Sequence, residues 1–332
     1  MKKRFEFNLQ YSKPLLQDEL DQLISVAKSG LFSRYTGHTV DELEVDLAKY
    51  YQTDYAVTCT SGTAALHGCL VALDLEPGSE IITTSVADIG IVIPIMYENL
   101  VPVFADIDLQ TYNITAKNVE QKITKKTKAV IAVHLAGNPC DLDSLVDLCE
   151  KHKIMLIEDF SQAHGAKWNG KKVGSYGQIS YGSFQQSKQI TCGEGGVIVT
   201  NDKELHRRAF IGVDKAWQRH LPLEERFYEF LAPNVRFNAL QAAVLKPQLK
   251  RLDSLIERKR SIAKKLRQSI AHLSEYIRPQ KIYSKSFHSY YSFPLFVIDN
   301  DFRNKMVDLL EDKYNMYCAK GYANPVPLYQ CV

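Results

Sequence analysis

One lysine in this sequence has the surroundings of a nucleophile. Lys188 closes the run Tyr181-Gly182-Ser183-Phe184-Gln185-Gln186-Ser187-Lys188 and is followed by the glycine-rich turn Cys192-Gly193-Glu194-Gly195-Gly196. Most loop lysines are solvated, but these glycines permit a tight turn and a close approach of backbone to a ligand. An amine that reacts as a Schiff base also needs a partly desolvated pocket that favours its neutral form. Upstream, Ile154-Met155-Leu156-Ile157 reads as a buried strand that delivers Glu158 and Asp159 at its C-terminal end. A carboxylate placed there must find a partner or bear the cost of desolvation. Asp159 either caps the next segment and pairs with a local cation, or it holds a protonated ring nitrogen. Further upstream, Thr60-Ser61-Gly62-Thr63-Ala64-Ala65 follows a strand and opens a helix. Ser61 suits an N-cap there, and the unpaired N–H groups at a helix start suit a phosphate. A phosphate cradle, a carboxylate for a pyridine nitrogen and an amine for an aldehyde are together the equipment that pyridoxal phosphate requires. Gln162 and His164 follow Asp159 on one loop, where the Gln162 amide can donate to a ring oxygen; His164 and His134 read as satisfied structural histidines.

The elements that would position these residues alternate. Helical spacing covers residues 14–29, with Gly30 as the stop, and residues 40–51; strands are expected at 55–58, 80–83, 101–104, 129–133 and 154–157. Between them lie helices over 63–73, 86–97 with an interruption near Pro94, 119–123 and 142–152. This β-α alternation predicts an α/β fold, a large domain whose mostly parallel central sheet is flanked by helices. Ligands sit at the carboxyl ends of such strands, so Ser61-Gly62, Ser85, Asp106 and Asp159 are expected to converge on one crevice. Short strands follow at 180–184 and 197–200, then a helix at 204–211 and an irregular stretch at 213–233. A long helical pattern over 239–260 should kink at Pro247. Another helix is expected at 261–271, a strand at 290–297 and a helix at 305–314. The expected division is a large domain with its N-terminal helical segment, residues 1–247, and a smaller C-terminal α+β domain, residues 248–332.

The bulk numbers exclude several classes. The 332 residues carry 41 Lys and Arg against 38 Asp and Glu, a net charge of +3, too mild to suggest a nucleic-acid partner. Seven cysteines, scattered and odd in number with no C-x-x-C, make neither a disulfide framework nor a zinc site, and no metal is expected. They suit a reducing compartment, hence the cytoplasm. Met1 to Glu6 is charged rather than apolar, so no secretory signal is expected, and no eighteen-residue apolar run offers a membrane span.

Several ordered motifs carry a family resemblance. They are Ser61-Gly62-Thr63-Ala64-Ala65-Leu66-His67, Pro102-Val103-Phe104-Ala105-Asp106, Val133-His134-Leu135, Glu158-Asp159 with Gln162-Ala163-His164-Gly165-Ala166, Ser183-Phe184 to Lys188, Gly193-Glu194-Gly195-Gly196, and Asn234-Val235-Arg236-Phe237 with Leu240-Gln241-Ala242-Ala243. From about Arg34 to about Leu252 the chain resembles the DegT/DnrJ/EryC1/StrS sugar aminotransferases, pyridoxal phosphate enzymes of fold type I with the architecture of aspartate aminotransferase. The resemblance implies transfer of an amino group from glutamate or glutamine to a keto sugar, a nucleotide-linked keto-deoxy sugar first and a free inosose second. It implies that Lys188 holds the cofactor and moves the proton, Asp159 holds the pyridinium, Gln162 contacts the ring hydroxyl, and Gly62, Thr63 and Ser183 bind the phosphate. Asn234 is implied to reach the phosphate of a neighbouring subunit in a homodimer. The Gln185-Gln186-Ser187-Lys188 form is similar to the branch of glutamine-dependent inosose aminotransferases. Lys188 speaks against the dehydratase branch, which has histidine there. Two departures stand out: Asp88 falls where the family places an aromatic that stacks on the cofactor, and the chain ends at Val332, early for the family, so the small domain is expected to be incomplete. The alternative they motivate is a non-catalytic or split homologue that binds cofactor or sugar without turnover.

Overall fold

The computed structural model describes residues 13–219, 221–321 and Val326. The expectations made on Met1 to Glu6, on Cys331, and on the C-terminal run to Val332, Val326 apart, fall outside these residues. The chain opens with α1 (Gln17–Ser29) and α2 (Thr39–Tyr51). It then alternates through β1 (Tyr55–Cys59), α3 (Gly62–Leu73), β2 (Glu80–Thr84), α4 (Ile93–Tyr97), β3 (Val101–Ala105), α5 (Ala116–Glu120), β4 (Thr127–Val133), α6 (Leu142–His152) and β5 (Met155–Asp159). The short strands β6 (Lys167–Trp168) and β7 (Lys171–Lys172) precede β8 (Ile179–Ser183), β9 (Gly196–Thr200) and α7 (Lys203–Gly212). The long α8 (Ala239–Ile270) leads to β10 (Ile277–Pro279), β11 (Ser286–Phe287), β12 (Leu295–Val297) and α9 (Asn300–Tyr314).

Seven strands form the central sheet in the order β1-β9-β8-β5-β4-β2-β3, and β9 alone runs antiparallel to its neighbours. Both faces are buried, which is why these strands read as nearly continuous apolar runs. Strand parity sorts their residues. Val130, Leu156 and Val199 face a core built with Leu43 and Leu47 of α2, Leu145 of α6 and Leu252 of α8. Ile131, Ile157, Tyr181 and Ile198 face the opposite core with Leu66 and Leu70 of α3 and Ala209 of α7. Helix starts follow local chemistry: the side chains of Ser61, Asp141 and Asp202 accept N–H groups of the first turns of α3, α6 and α7.

Four local expectations are corrected. Pro94 stands in the first turn of α4, where its missing N–H costs nothing, so it starts that helix rather than interrupting it. The helix expected at 119–123 lies at Ala116–Glu120, because the Thr115 side chain caps it from Asn118 N. The patterns at 239–260 and 261–271 are one helix of 32 residues that carries Pro247 within it, buried. The alternation at 290–297 yields a strand only at Leu295–Val297, since Tyr290 takes a left-handed φ of 50° that breaks extended backbone.

Candidate functional site

The carboxyl edge of the sheet opens into a cavity of about 500 Å³. Gly62, Thr63, Asp159, Gln162, Ser183 and Lys188 all line it. Parity explains the meeting. Asp159 shares a face with Ile157, and Tyr181 and Ser183 alternate onto that same face, the one covered by α3. Glu158, one residue earlier, points to the other side. A smaller hollow of about 260 Å³ lies at the opposite end of β5, around Lys153 to Leu156, and gathers no comparable set of groups.

The start of α3 forms one wall. The Ser61 hydroxyl accepts Ala64 N at 3.0 Å and the Ser61 carbonyl accepts Ala65 N at 2.9 Å. Ala64 N is thus taken by the cap and Ala65 N begins the helix ladder, while the N–H groups of Gly62 and Thr63 between them are placed to bind an anion. Ser183 stands directly against them: a Cβ on Gly62 would lie 2.7 Å from Ser183 Cβ. Ser183 Oγ accepts Gln185 N at 3.3 Å, which leaves its own proton to donate. The glycine-rich turn serves this wall too. Gly193 adopts φ 87°, and Gly196 brings β9 against the backbone of Ser61 so closely that a side chain there would collide with the Ser61 carbonyl.

Asp159 is half-buried at the end of β5. Its Oδ1 accepts Ser161 N and its Oδ2 accepts the Tyr181 hydroxyl, each at 2.8 Å. Burial, and then the adjacent Asp159 charge, hold the Tyr181 phenol protonated far above its ordinary range. Gln162 accepts Ala136 N through Oε1 at 2.8 Å, so its amide nitrogen is the end able to donate. Lys188 is half-buried, with Nζ 5.0 Å from the centre of the Tyr291 ring. Its carbonyl accepts from Lys13 Nζ. Burial, together with the charges of Lys259 and Lys188, lowers the Lys13 ammonium to about 8. The Ser187 hydroxyl donates to Gln185 Oε1 at 2.7 Å and lies 3.0 Å from the Tyr291 hydroxyl, so Tyr291 donates to Ser187.

The two histidines are structural, as their setting in the sequence suggests. His164 is fully buried, gives its Nε2 proton to the Ser183 carbonyl and accepts the Tyr51 hydroxyl at Nδ1. Burial lowers it to about 4, so it stays neutral. His134 accepts Cys140 N at Nδ1 and therefore donates from Nε2 to Glu158. Burial alone would raise Glu158, but His134 and the N–H groups of Gly174 and Gly177 outweigh it and hold the carboxyl below its usual range. Glu158 thus fixes the loop leading into β8.

Other expected members are elsewhere. Ser85 and Asp106 do not line the cavity. They follow β2 and β3 at the far edge of the sheet, although Ala87, Asp88, Gly90 and Ile91, a little further past β2, reach back to line the cavity. Asn234 is exposed, paired with Asp214 beside the β1–α3 turn, and does not line this chain's cavity. Asp88 does line it, but its Oδ1 accepts Gly90 N at 2.8 Å, so no aromatic stacks there. Reasoning from the sequence did not name Tyr181 and Tyr291, which also line the cavity. The signal for Tyr181 was its place two residues before Ser183 on a strand beside β5; Tyr291, more than a hundred residues from Lys188, carried none. Among the described residues no cluster of His, Cys, Asp or Glu could hold a metal, and no helix is long and apolar enough to cross a membrane.

The family model of the DegT/DnrJ/EryC1/StrS aminotransferases matches residues 15–332. GDP-perosamine synthase of Escherichia coli O157:H7 is 36% identical over 279 residues, 83% of this chain and 74% of that protein. The aminotransferase of Psychrobacter cryohalolentis has a solved structure that superposes with a TM-score of 0.91 at 30% identity, covering 96% of this chain and 86% of that one. The E. coli GDP-4-keto-6-deoxy-D-mannose-3-dehydratase, solved with hydrated pyridoxal phosphate bound, gives a TM-score of 0.87 at 27% identity over 95% of this chain and 85% of that one.

Proposed function

Because the chain belongs to the DegT/DnrJ/EryC1/StrS aminotransferase family, we propose that the residues gathered in its cavity carry out amino transfer from glutamate or glutamine to a nucleotide-linked keto sugar. The chain is a pyridoxal phosphate-dependent aminotransferase, and the cavity's residues fit that cofactor. The observation that carries the reading is that Lys188, Asp159 and the donors at Gly62, Thr63 and Ser183 line one cavity. Pyridoxal phosphate supplies an aldehyde to carry the amino group and a ring to accept the electron pair at the reacting carbon. Gly62 N, Thr63 N and the Ser183 hydroxyl would hold its phosphate. The Asp159 carboxylate would pair with the ring nitrogen, and the Gln162 amide nitrogen would donate to the ring hydroxyl. Lys188 Nζ is the amine that would hold the aldehyde and move the proton at the substrate carbon. Two half-reactions through one amine predict ping-pong kinetics. Lys13, whose Nζ reaches the Lys188 carbonyl, is a cation that suits an anionic acceptor, which favours a nucleotide-linked sugar over a free inosose.

Asn234, exposed on the stretch that pairs with Asp214, reaches in this reading to the phosphate of a neighbouring subunit in a homodimer. Residues 1–247 form the cofactor-binding part and 248–332 the smaller one, with α8 carrying the chain across. Its free cysteines suit the cytoplasm. The test is absorption of the protein with pyridoxal phosphate beside Lys188→Ala. The lysine-bound cofactor band is expected in the wild type alone and bleaches when glutamate or glutamine is added; a band of equal strength in the variant overturns the assignment of Lys188. Mixing Lys188→Ala with Asn234→Ala protomers tests the shared site. Restored activity supports the dimer, and mixed protomers as inactive as their parents refute it.

A further inference from the structure

Asp159 and Tyr181 are register partners on the adjacent parallel strands β5 and β8. Neighbours in such a register point to the same face, so the sheet itself sets the distance between their side chains. The Tyr181 hydroxyl reaches Asp159 Oδ2 at 2.8 Å, while Oδ1 takes Ser161 N at the same distance. Tyr181 is 3% exposed, and its ring is part of the core under α3. The donor's direction is fixed, because an ionised carboxylate has no proton to give and the phenol has one. Each carboxylate oxygen thus has one donor from the chain and keeps capacity for one more.

We propose that Tyr181 is a positioning residue for Asp159, its hydroxyl holding the carboxylate aimed at the protonated ring nitrogen of the bound cofactor. This rests on the reading of Asp159 given above. A cofactor ring seated in the cavity displaces the water that would otherwise solvate the carboxylate. A donor built into the neighbouring strand stays when that water leaves. Donors to the charged form of a carboxyl favour that form, and hydrogen bonds to a charged group are the stronger kind. Losing the hydroxyl therefore weakens the ion pair with the ring nitrogen without disturbing the phosphate cup. The ring alone would suffice if Tyr181 only filled space.

The experiment compares binding of pyridoxal phosphate with binding of its 1-deaza analogue, in which C–H replaces the ring nitrogen. Affinities are read by fluorescence titration of the cofactor-free full chain. Tyr181→Phe keeps the ring and removes only the hydroxyl. It is expected to weaken pyridoxal phosphate binding about tenfold or more while changing the affinity for the analogue by less than about twofold. In the Asp159→Asn background the same substitution is expected to change pyridoxal phosphate affinity by less than about twofold. An equal loss for both ligands, or no loss for either, overturns the proposal and leaves Tyr181 a core residue. A wild type that binds both ligands equally refutes the Asp159 reading itself, and this one with it.

Discussion

Gly62→Ala separates cofactor binding from folding. The added Cβ would lie 2.7 Å from Ser183 Cβ, 3.2 Å from Ser183 Oγ and 3.4 Å from Ser183 Cα. Carbon atoms pack at about 3.5–4.0 Å, so the first turn of α3 and β8 must part by about 1 Å. Ser183 cannot yield easily: it is buried, and β8 is held between β5 and β9 inside the sheet. The helix start must therefore move. Gly62 has no left-handed φ, so alanine brings no backbone strain and gains up to about 1 kcal/mol of helix preference. Overpacking of about 1–3 kcal/mol opposes this. The net change in stability is small, about 0–2 kcal/mol, and the cofactor-free variant is expected to melt only a few degrees below the wild type. The phosphate cup fares worse. The parted walls no longer place the Gly62 and Thr63 N–H groups and the Ser183 hydroxyl around one phosphate. Loss of a single hydrogen bond to a charged group costs about 1.5–3 kcal/mol, which weakens pyridoxal phosphate binding roughly 10- to 150-fold. Fluorescence titration of cofactor-free protein measures the affinity, and a thermal melt of the same sample measures stability. An affinity within about twofold of wild type would show that Gly62 and Ser183 do not form the cup.

Two further outcomes are expected. Tyr291→Phe breaks the donation to Ser187 but keeps the ring beside Lys188, whereas Tyr291→Ala removes both. In stopped-flow measurement of the donor half-reaction, Phe should slow the step modestly and Ala by a further order of magnitude or so; equal rates for both variants and wild type would remove Tyr291 from the site. Stability should also fall with acid. His164 is lowered by burial to about 4, and His288, lowered by burial and then by Arg267 and Arg260, to about 3. Between those values and the ordinary histidine range near 6.5, the unfolded chain binds protons that the folded chain does not. Their contribution is complete above about pH 6.5 and is lost as pH falls towards 4, on the order of 3 kcal/mol for His164 alone. Urea midpoints at pH 7 and pH 5 test this, and equal midpoints would show that these histidines are not buried neutral.

Much of the chemistry was legible because it is local. A serine before a helix must cap it, and Ser61 does; a run such as Leu156-Ile157 must be buried on both faces, and the acids that follow it then emerge at the sheet's edge. Asp159, Gln162 and Lys188 could be named from their neighbours along the chain alone, and so could the glycines that let backbone approach backbone. What the order of residues could not express is sideways distance. Ser85 and Asp106 follow strands as faithfully as Asp159 does, yet neither lines the cavity, while Asp88, three residues past Ser85, does. Pro247 carries a local penalty, yet α8 runs through it, held by its packing against α1 and α2. Tyr291 and Lys188 meet only because the chain returns after α8. Tyr181 and Asp159 are 22 residues apart in sequence and directly opposed in register. Composition and spacing thus determined which groups this protein owns and which elements they cap or end. Only the lateral pairing of strands, a non-local choice made by burying two faces of one sheet at once, decided which of those groups stand within reach of one another.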